Sequence, residues 1–380
     1  MSRVRVALCF TCALVASACG GAPEKPALRT LPPADPRAVQ KYLQASALMT
    51  DGKTRDEQRA QALLHEALAI DGMLWEARYN LGVLHRRRGE LRKALTELQA
   101  AHEVQPAAGA PLLALAEVHY AMGALDDAAG FLRDYVTAHA DALESRVALT
   151  ALLREQGQYE AALEQARAVL VRDPRSIGAL LEVGRIYRER GEHDVAELVF
   201  DRALRLDDDD PRPHNELGLT ALARGDTQLA FEHFEHARAA DQAFAPARLN
   251  RAAVLLRAGD YAAAAAEYEK VLEQQPSDDD ARVGLAVALR GQSKHAQAAQ
   301  QYERVLAQSP HHGAALFDLA VLRAEFMNDA PRARVLFERF VAVAADGPAR
   351  QTAERYLEQL SQASAESKPQ ARSDGAGVPP

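Results

Sequence analysis

From residue 20 onward the 380-residue chain contains no cysteine; its three lie at positions 9, 12 and 19. That excludes a disulfide framework or a thiolate metal site from the body of the protein. Aromatics amount to only 6%, with a single tryptophan. Alanine, the commonest residue, supplies the missing bulk, alongside many Arg, Glu, Gln and Leu. These are strong helix formers, and β-branched residues other than Val are sparse, so a β-rich fold is excluded. The 48% hydrophobic content excludes collagen-like and wholly disordered classes. Lysine is scarce too, far outnumbered by arginine, and 45 basic residues face 53 acidic ones for a net charge of −8. No basic footprint exists for nucleic acid as the main partner. Catalytic strings are also missing: no Walker loop, G-x-S-x-G, H-E-x-x-H or dinucleotide glycine fingerprint. The expectation is a non-enzyme without a cofactor.

What is present begins with an export signal at residues 1–18. Arg3 and Arg5 form a charged start, and Val6 to Val15 is an apolar run too short to span a bilayer. Ala16-Ser17-Ala18-Cys19 closes it. This resembles the lipobox of bacterial lipoproteins, which implies cleavage before Cys19 and a diacylglycerol on its sulfur. Ala16 departs from the leucine preferred there, and the same Ala-x-Ala spacing also suits ordinary signal peptidase, leaving Cys19 bare. Cys9 and Cys12 match C-x-x-C only inside the segment to be removed. Losing Arg3 and Arg5 takes the formal charge from −8 to −10. Residues 19–36 read as the lipidated cysteine and a linker with five prolines, reaching up to ~50 Å from a membrane surface. Gly20 and Gly21 stand where aspartate would signal inner-membrane retention, so the outer membrane facing the periplasm is expected. A soluble periplasmic or inner-membrane-anchored protein is the alternative. Residues 363–380, rich in Ser, Ala, Gly and Pro, read as a disordered tail.

Between the ends runs a ruler. Glycine recurs at a fixed spacing, at 89, 123, 157, 191, 225 and 259. Alanine follows five positions later at 94, 128, 162, 196, 230, 264 and 298, and a larger residue four further on, as at Leu98, Phe200, Phe234, Tyr268 and Tyr302. Prolines 106, 174, 276 and 310 close four of the units. Small residues such as Gly82, Gly184, Gly218 and Ala94 let two helices approach closely, while Phe200 or Tyr268 is expected to fill the gap to the next unit. A turn glycine adopts the left-handed conformation that ends a helix. One hairpin cannot bury its apolar stripe alone, so the units must stack.

This pattern resembles the tetratricopeptide repeat, a pair of antiparallel helices recurring about every 34 residues. The resemblance covers most of the chain and is clearest in the units starting at Trp75, Ile177 and Pro211. It implies an all-α fold: a right-handed superhelical solenoid of about nine helix-turn-helix units over residues 37–344. A C-terminal capping helix follows at 345–362. The ends depart from the pattern. The first unit's turn, Met49 to Arg55, is expanded; Ser293 replaces a turn glycine; and the ninth unit needs one extra residue around Met327 to Pro331.

Two features mimic metal sites. His233 and His236 lie three apart on one helix, a spacing compatible with a metal, but Phe234 is the buried ruler position and the histidines are expected on its exposed flanks. His311-His312 falls in an interhelical turn and is read the same way. Asp207–Asp210 and Asp278–Asp280 fall at unit junctions, where carboxylates cap helix N-termini, and lack the ligand spacing of a calcium loop. No metal ligand is assigned.

In the repeat family the first helix of each unit lines a concave groove that holds partner peptides. Counting from Trp75, the twelfth position is Arg86, Tyr120, Arg154, Arg188, Leu222, Leu256, Arg290 and Ala324. The resemblance therefore implies a groove with Arg86, Arg87, Tyr120, Arg154, Arg185, Arg188 and Arg290 as its basic and aromatic wall. Leu219, Leu222, Leu249 and Leu256 make it apolar in the middle, with Asn250 beside them. That suits an acidic peptide segment with a hydrophobic anchor; arginine complementing a helix C-terminus is the plainer reading. The carboxylate clamp of some members is missing, because Asn215 and Asn250 are followed by Asp280 and Gly284 where cations should be. The expected function is a protein–protein interaction scaffold. It would be a membrane-anchored lipoprotein assisting an envelope complex such as a type IV pilus secretin, a gliding-motility apparatus or a secretion machine. The alternative is a regulatory, non-catalytic subunit of a peptidoglycan or polysaccharide synthase.

Overall fold

The computed structural model describes residues 31–49 and 54–366. Cys19, the export signal, most of its linker, most of the first turn and nearly all of the C-terminal tail lie outside the described residues. Over the described residues the chain is all-α, with 19 helices and no strand.

The helices pair as hairpins. They are α1 (Pro36–Met49) and α2 (Thr54–Ile70), α3 (Trp75–Arg87) and α4 (Leu91–Val104), α5 (Gly109–Ala121) and α6 (Leu125–Ala138), α7 (Leu143–Glu155) and α8 (Tyr159–Arg172), and α9 (Ile177–Glu189) and α10 (His193–Leu204). Next come α11 (Pro211–Arg224) and α12 (Thr227–Ala240), α13 (Ala245–Ala258) and α14 (Tyr261–Gln274), and α15 (Asp279–Gly291) and α16 (His295–Gln308). The last pair is α17 (Gly313–Val321), prolonged by a π turn at Leu322–Phe326, and α18 (Ala330–Val343); α19 (Pro348–Glu366) follows alone. Two compact units divide at Glu182 and Val183, inside α9. No described helix is long and apolar enough to cross a membrane.

The ruler translates directly into backbone. All six of its glycines have positive φ, between 70° and 86°, the left-handed conformation that an added Cβ disfavours. Ser293 occupies the same conformation at φ 60°. The extra residue of the ninth hairpin is absorbed upstream of where it was expected. The helix widens into the π turn at Leu322–Phe326 and leaves through Asn328 at φ 50°. A π turn accommodates one residue more than an α turn, and α18 then resumes the ruler, with Phe337 fully buried.

Close approach works through specific pairs. A Cβ on Gly82 would lie 2.5 Å from Leu98 Cγ, one on Gly184 2.3 Å from Phe200 Cε1, and one on Gly218 2.5 Å from Phe234 Cε1. Phe200 thus fills the space left by Gly184 of its own hairpin and is fully buried. Tyr268 does reach forward, onto Gly284 of the following hairpin, where a Cβ would meet Cε1 at 2.4 Å.

In the first unit Ala38, Ala60, Leu64, Ala77, Leu81 and Leu84 form one cluster, and Ala94, Leu98, Leu115 and Val118 another. In the second, one cluster extends from Ala245 to Ala353. α19 seals it: Ala353 is buried, Tyr356 stacks on Phe337 at 4.8 Å, and Leu357 and Leu360 pack alongside. Both aspartate runs cap helices. Asp210 accepts the Arg212 N–H at 2.9 Å and Asp278 the Ala281 N–H at 2.8 Å.

Candidate functional site

The first helices carry the residues singled out by register, and their side chains follow a rule set by the repeat. A residue at the twelfth position of one hairpin stands beside the sixth position of the next, a 28-residue offset. Arg154 on α7 donates to Glu182 on α9 at 3.0 Å, and to Glu155 at 2.7 Å. Arg188 on α9 donates to Glu216 on α11, which also accepts twice from Arg185, at 2.9 and 2.7 Å. Arg290 on α15 faces Asp318 on α17 at 3.9 Å.

These carboxylates are deep. Glu182 is 5% and Glu216 4% exposed. Burial pushes the Glu216 carboxyl up, but the charges and hydrogen bonds of Arg185 and Arg188 more than offset it and hold it below its ordinary value. Asp318 sits the other way: burial raises it, and the more distant Arg290 offsets this only in part. The positive charge of Arg154, Arg185 and Arg188 is therefore committed to internal partners.

The other register residues are freer. Arg86 pairs with the exposed Glu117 at 2.8 Å. Arg87 donates to the Met49 carbonyl at 3.3 Å and lies 3.9 Å from Glu57. Tyr120 is 49% exposed on α5. In the second unit Leu222 packs against the Ala221, Phe234 and Val254 cluster, Leu256 against the cluster of Ala252 and Leu285, and both are half-buried. Asn250 donates to Asn215 at 2.8 Å. The first unit thus places Arg86, Arg87 and Tyr120 on its surface, and the second carries Leu222, Asn250 and Leu256 on the successive first helices α11 and α13.

A second register runs within five of the hairpins, between the fourth and twenty-third positions. Arg78 reaches Glu97 at 3.4 Å, Arg146 reaches Gln165 at 2.8 Å, Arg248 reaches Glu267 at 2.8 Å and Arg282 reaches Gln301 at 3.4 Å. In the α11–α12 hairpin the two positions are His214 and His233, whose Nδ1 atoms lie 3.3 Å apart. His233 is half-buried, not on an exposed flank, because α11 supplies a ring against it; His236 is exposed as expected. Burial first, then the neighbouring His233 and His236 rings, push His214 down to about 4. Burial and His236 lower His233 likewise. His312, by contrast, caps α17, accepting from the Ala315 N–H at 3.2 Å.

Sequence reading found the twelfth positions but missed their partners. The 28-residue offset from arginine to acid and the 19-residue offset between fourth and twenty-third positions are both present in the linear sequence. They pair residues on different helices, and so do not show in a search for local motifs.

Comparison with known proteins bears on the fold. No curated protein matches the sequence. Among solved structures, the Cut9–Hcn1 hetero-tetramer of the APC/C is similar with a TM-score of 0.52 and 15% identity, over 85% of this chain and 76% of that one. The thermophilic protein TTC0263 of Thermus thermophilus is 27% identical over 48% of this chain and 99% of its own, with a TM-score of 0.43. PilF of Pseudomonas aeruginosa is 20% identical over 57% of this chain and 98% of its own, with a TM-score of 0.48. Tetratricopeptide-repeat family models match residues 79–142, 151–211, 283–350 and 255–292. With more than half of its length matched and the ruler expressed in both backbone and packing, the chain belongs to the tetratricopeptide-repeat family.

Proposed function

We propose that this chain is a membrane-tethered, non-enzymatic scaffold that assists assembly of a bacterial envelope complex. Tetratricopeptide repeats are a protein-interaction fold, and the envelope setting is inferred from Ala16-Ser17-Ala18-Cys19 and the proline-rich segment after it. The single observation that carries the interaction reading is the row of first-helix positions. The same register that locks Arg154 and Arg188 to buried glutamates leaves Tyr120 at the surface of the first unit, and Arg87, one position past that register, is exposed there too. Exposed tyrosine and exposed arginine are the residue types from which binding hot spots are drawn. The partner segment is acidic with an apolar or aromatic anchor.

The test is affinity purification from solubilised envelopes, comparing the wild type with Cys19→Ala and with Arg87→Glu/Tyr120→Ala, with intact mass and partners read by mass spectrometry. A diacylglycerol-sized increment on the wild type, and loss of the same envelope-complex partners from the double variant at unchanged helicity, support both parts of the reading. A bare Cys19, with partners retained by the wild type and Cys19→Ala alike, removes the anchor. Retention of every partner by the double variant removes the surface.

A further inference from the structure

In the hairpins around it, the cross-helix seat at positions four and twenty-three holds complementary pairs. These are a guanidinium with a carboxylate or amide, as in Arg248–Glu267 and Arg146–Gln165, or two apolar residues, as at Leu180 and Val199. The α11–α12 hairpin instead sets two imidazoles nitrogen to nitrogen, His214 against His233. One turn further along α12, at position twenty-six, stands a third, His236. The ring centroids of His214 lie 5.6 Å from His233 and 5.1 Å from His236. One ligand nitrogen from each of the three falls within 4.8 Å of the others.

We propose that His214, His233 and His236 form a binding site for one divalent transition-metal ion, with zinc the ion their chemistry fits best. Nitrogens held at about 2.0–2.1 Å from a tetrahedral zinc ion stand about 3.3 Å from each other. The His214–His233 separation, 3.3 Å, already has that value. Bringing the widest separation from 4.8 Å to that edge is a movement of about 1.5 Å, within reach of a side-chain rotation at the exposed His236. Imidazole suits zinc, nickel and copper, and the absence of oxygen ligands in the triad disfavours magnesium and calcium. Each ring coordinates through the lone pair of a neutral imidazole nitrogen, so binding releases any proton held there. With three protein ligands the fourth position is open to water or a partner's side chain. A hydrogen bond between two neutral imidazoles accounts for the His214–His233 contact but gives no place to His236. Bound there, the ion ties α11 to α12 through side chains where the following hairpin uses the Arg248–Glu267 ion pair.

The metal-stripped full chain, free of any polyhistidine tag, is titrated with Zn²⁺ against a chromogenic chelator at neutral pH. One equivalent should bind, and His214→Ala and His236→Ala should each weaken it about tenfold or more, while His311→Ala leaves it unchanged. Because His214 packs between helices, far-UV circular dichroism checks its variant. His236 is exposed and tests the site without disturbing the core. Co²⁺ in place of zinc should give the visible absorption of a four-coordinate site, and His236→Ala should abolish it. Absence of a saturable equivalent would overturn the proposal. So would an equivalent whose affinity and Co²⁺ spectrum survive both substitutions.

Discussion

Glu216 on α11 receives both Arg185 and Arg188 of α9 on its two carboxylate oxygens, Arg185 at 2.7 and 2.9 Å on one and Arg188 on the other. A carboxylate that is 4% exposed keeps its charge only because two guanidinium groups share it. The arrangement changes how the register arginines must be tested. Reversing Arg154 or Arg188 would set two negative charges together at a buried site, so loss of partner capture by such variants would report damage to the hairpin stack. Arg87 and Tyr120, near the surface, are the informative positions.

The Glu216 cluster makes the fold acid-sensitive in a defined window. Its folded pKa lies below the ordinary 4.5. Its stabilisation is therefore complete above about pH 4.5 and is lost as pH falls through the lowered value, where the folded state must at last take up the proton. Glu216→Gln should flatten the fall in melting temperature below pH 4.5. Glu216→Ala, which strands two guanidinium groups, should cost about 3 kcal/mol at pH 7. Thermal unfolding across pH measures the first and urea unfolding at pH 7 the second, both followed by far-UV circular dichroism. A wild-type profile parallel to that of Glu216→Gln would show that the carboxylate contributes nothing to the acid limb.

Gly218→Val should be strongly destabilising. Phe234 is fully buried and its ring occupies the space where a Cβ would stand, at 2.5 Å, so ring or helix must move. Overpacking of this kind costs about 1–3 kcal/mol. Gly218→Val/Phe234→Leu, which removes ring volume from the same seat, should recover part of the loss. Thermal unfolding of the two variants side by side measures this, and equal melting temperatures would reject the steric account.

At the turns the cost is in backbone conformation. Nothing lies within 4 Å of a Cβ built on Gly259, whose φ is 80°, so Gly259→Ala should cost about 1 kcal/mol from the left-handed conformation alone. Ser293, at φ 60°, presents the inverse case. Ser293→Gly should gain about 0.5 kcal/mol, the relief of strain less the added freedom of the unfolded chain. Chemical denaturation resolves the opposite signs, and a loss at position 293 would mean its side chain makes a contact worth more than the strain.

The repeat was legible because its signals are one-dimensional. Gly89 and its five successors recur at a fixed period, and each recurs for a steric reason that the backbone repeats at φ 70–86°. Phe200 was legible as a filler of space, but the glycine it stands against was not. Whether a ring turns onto Gly184 of its own hairpin or, like Tyr268, onto the next depends on where the facing glycine lies. The extra residue of the ninth hairpin was read correctly in number and misplaced, since Leu322–Phe326 could widen before any turn residue announced it. The pairing of Arg188 with Glu216 and of His214 with His233 was not read at all. Both depend on which helix faces which, and each needs a long offset to be checked for chemical complementarity.

The two offsets differ in what they make portable. A fourth-to-twenty-third pair such as Arg248–Glu267 lies inside one hairpin and would travel with it through any duplication or deletion. A twelfth-to-sixth pair spans a junction. Excising residues 211–244 would keep the repeat period intact yet bring Asn250 into the place of Glu216, leaving Arg185 and Arg188 opposite a neutral amide. Shuffling hairpins of this chain is therefore constrained by charge as well as by apolar stacking, and their order carries information that their shared length does not.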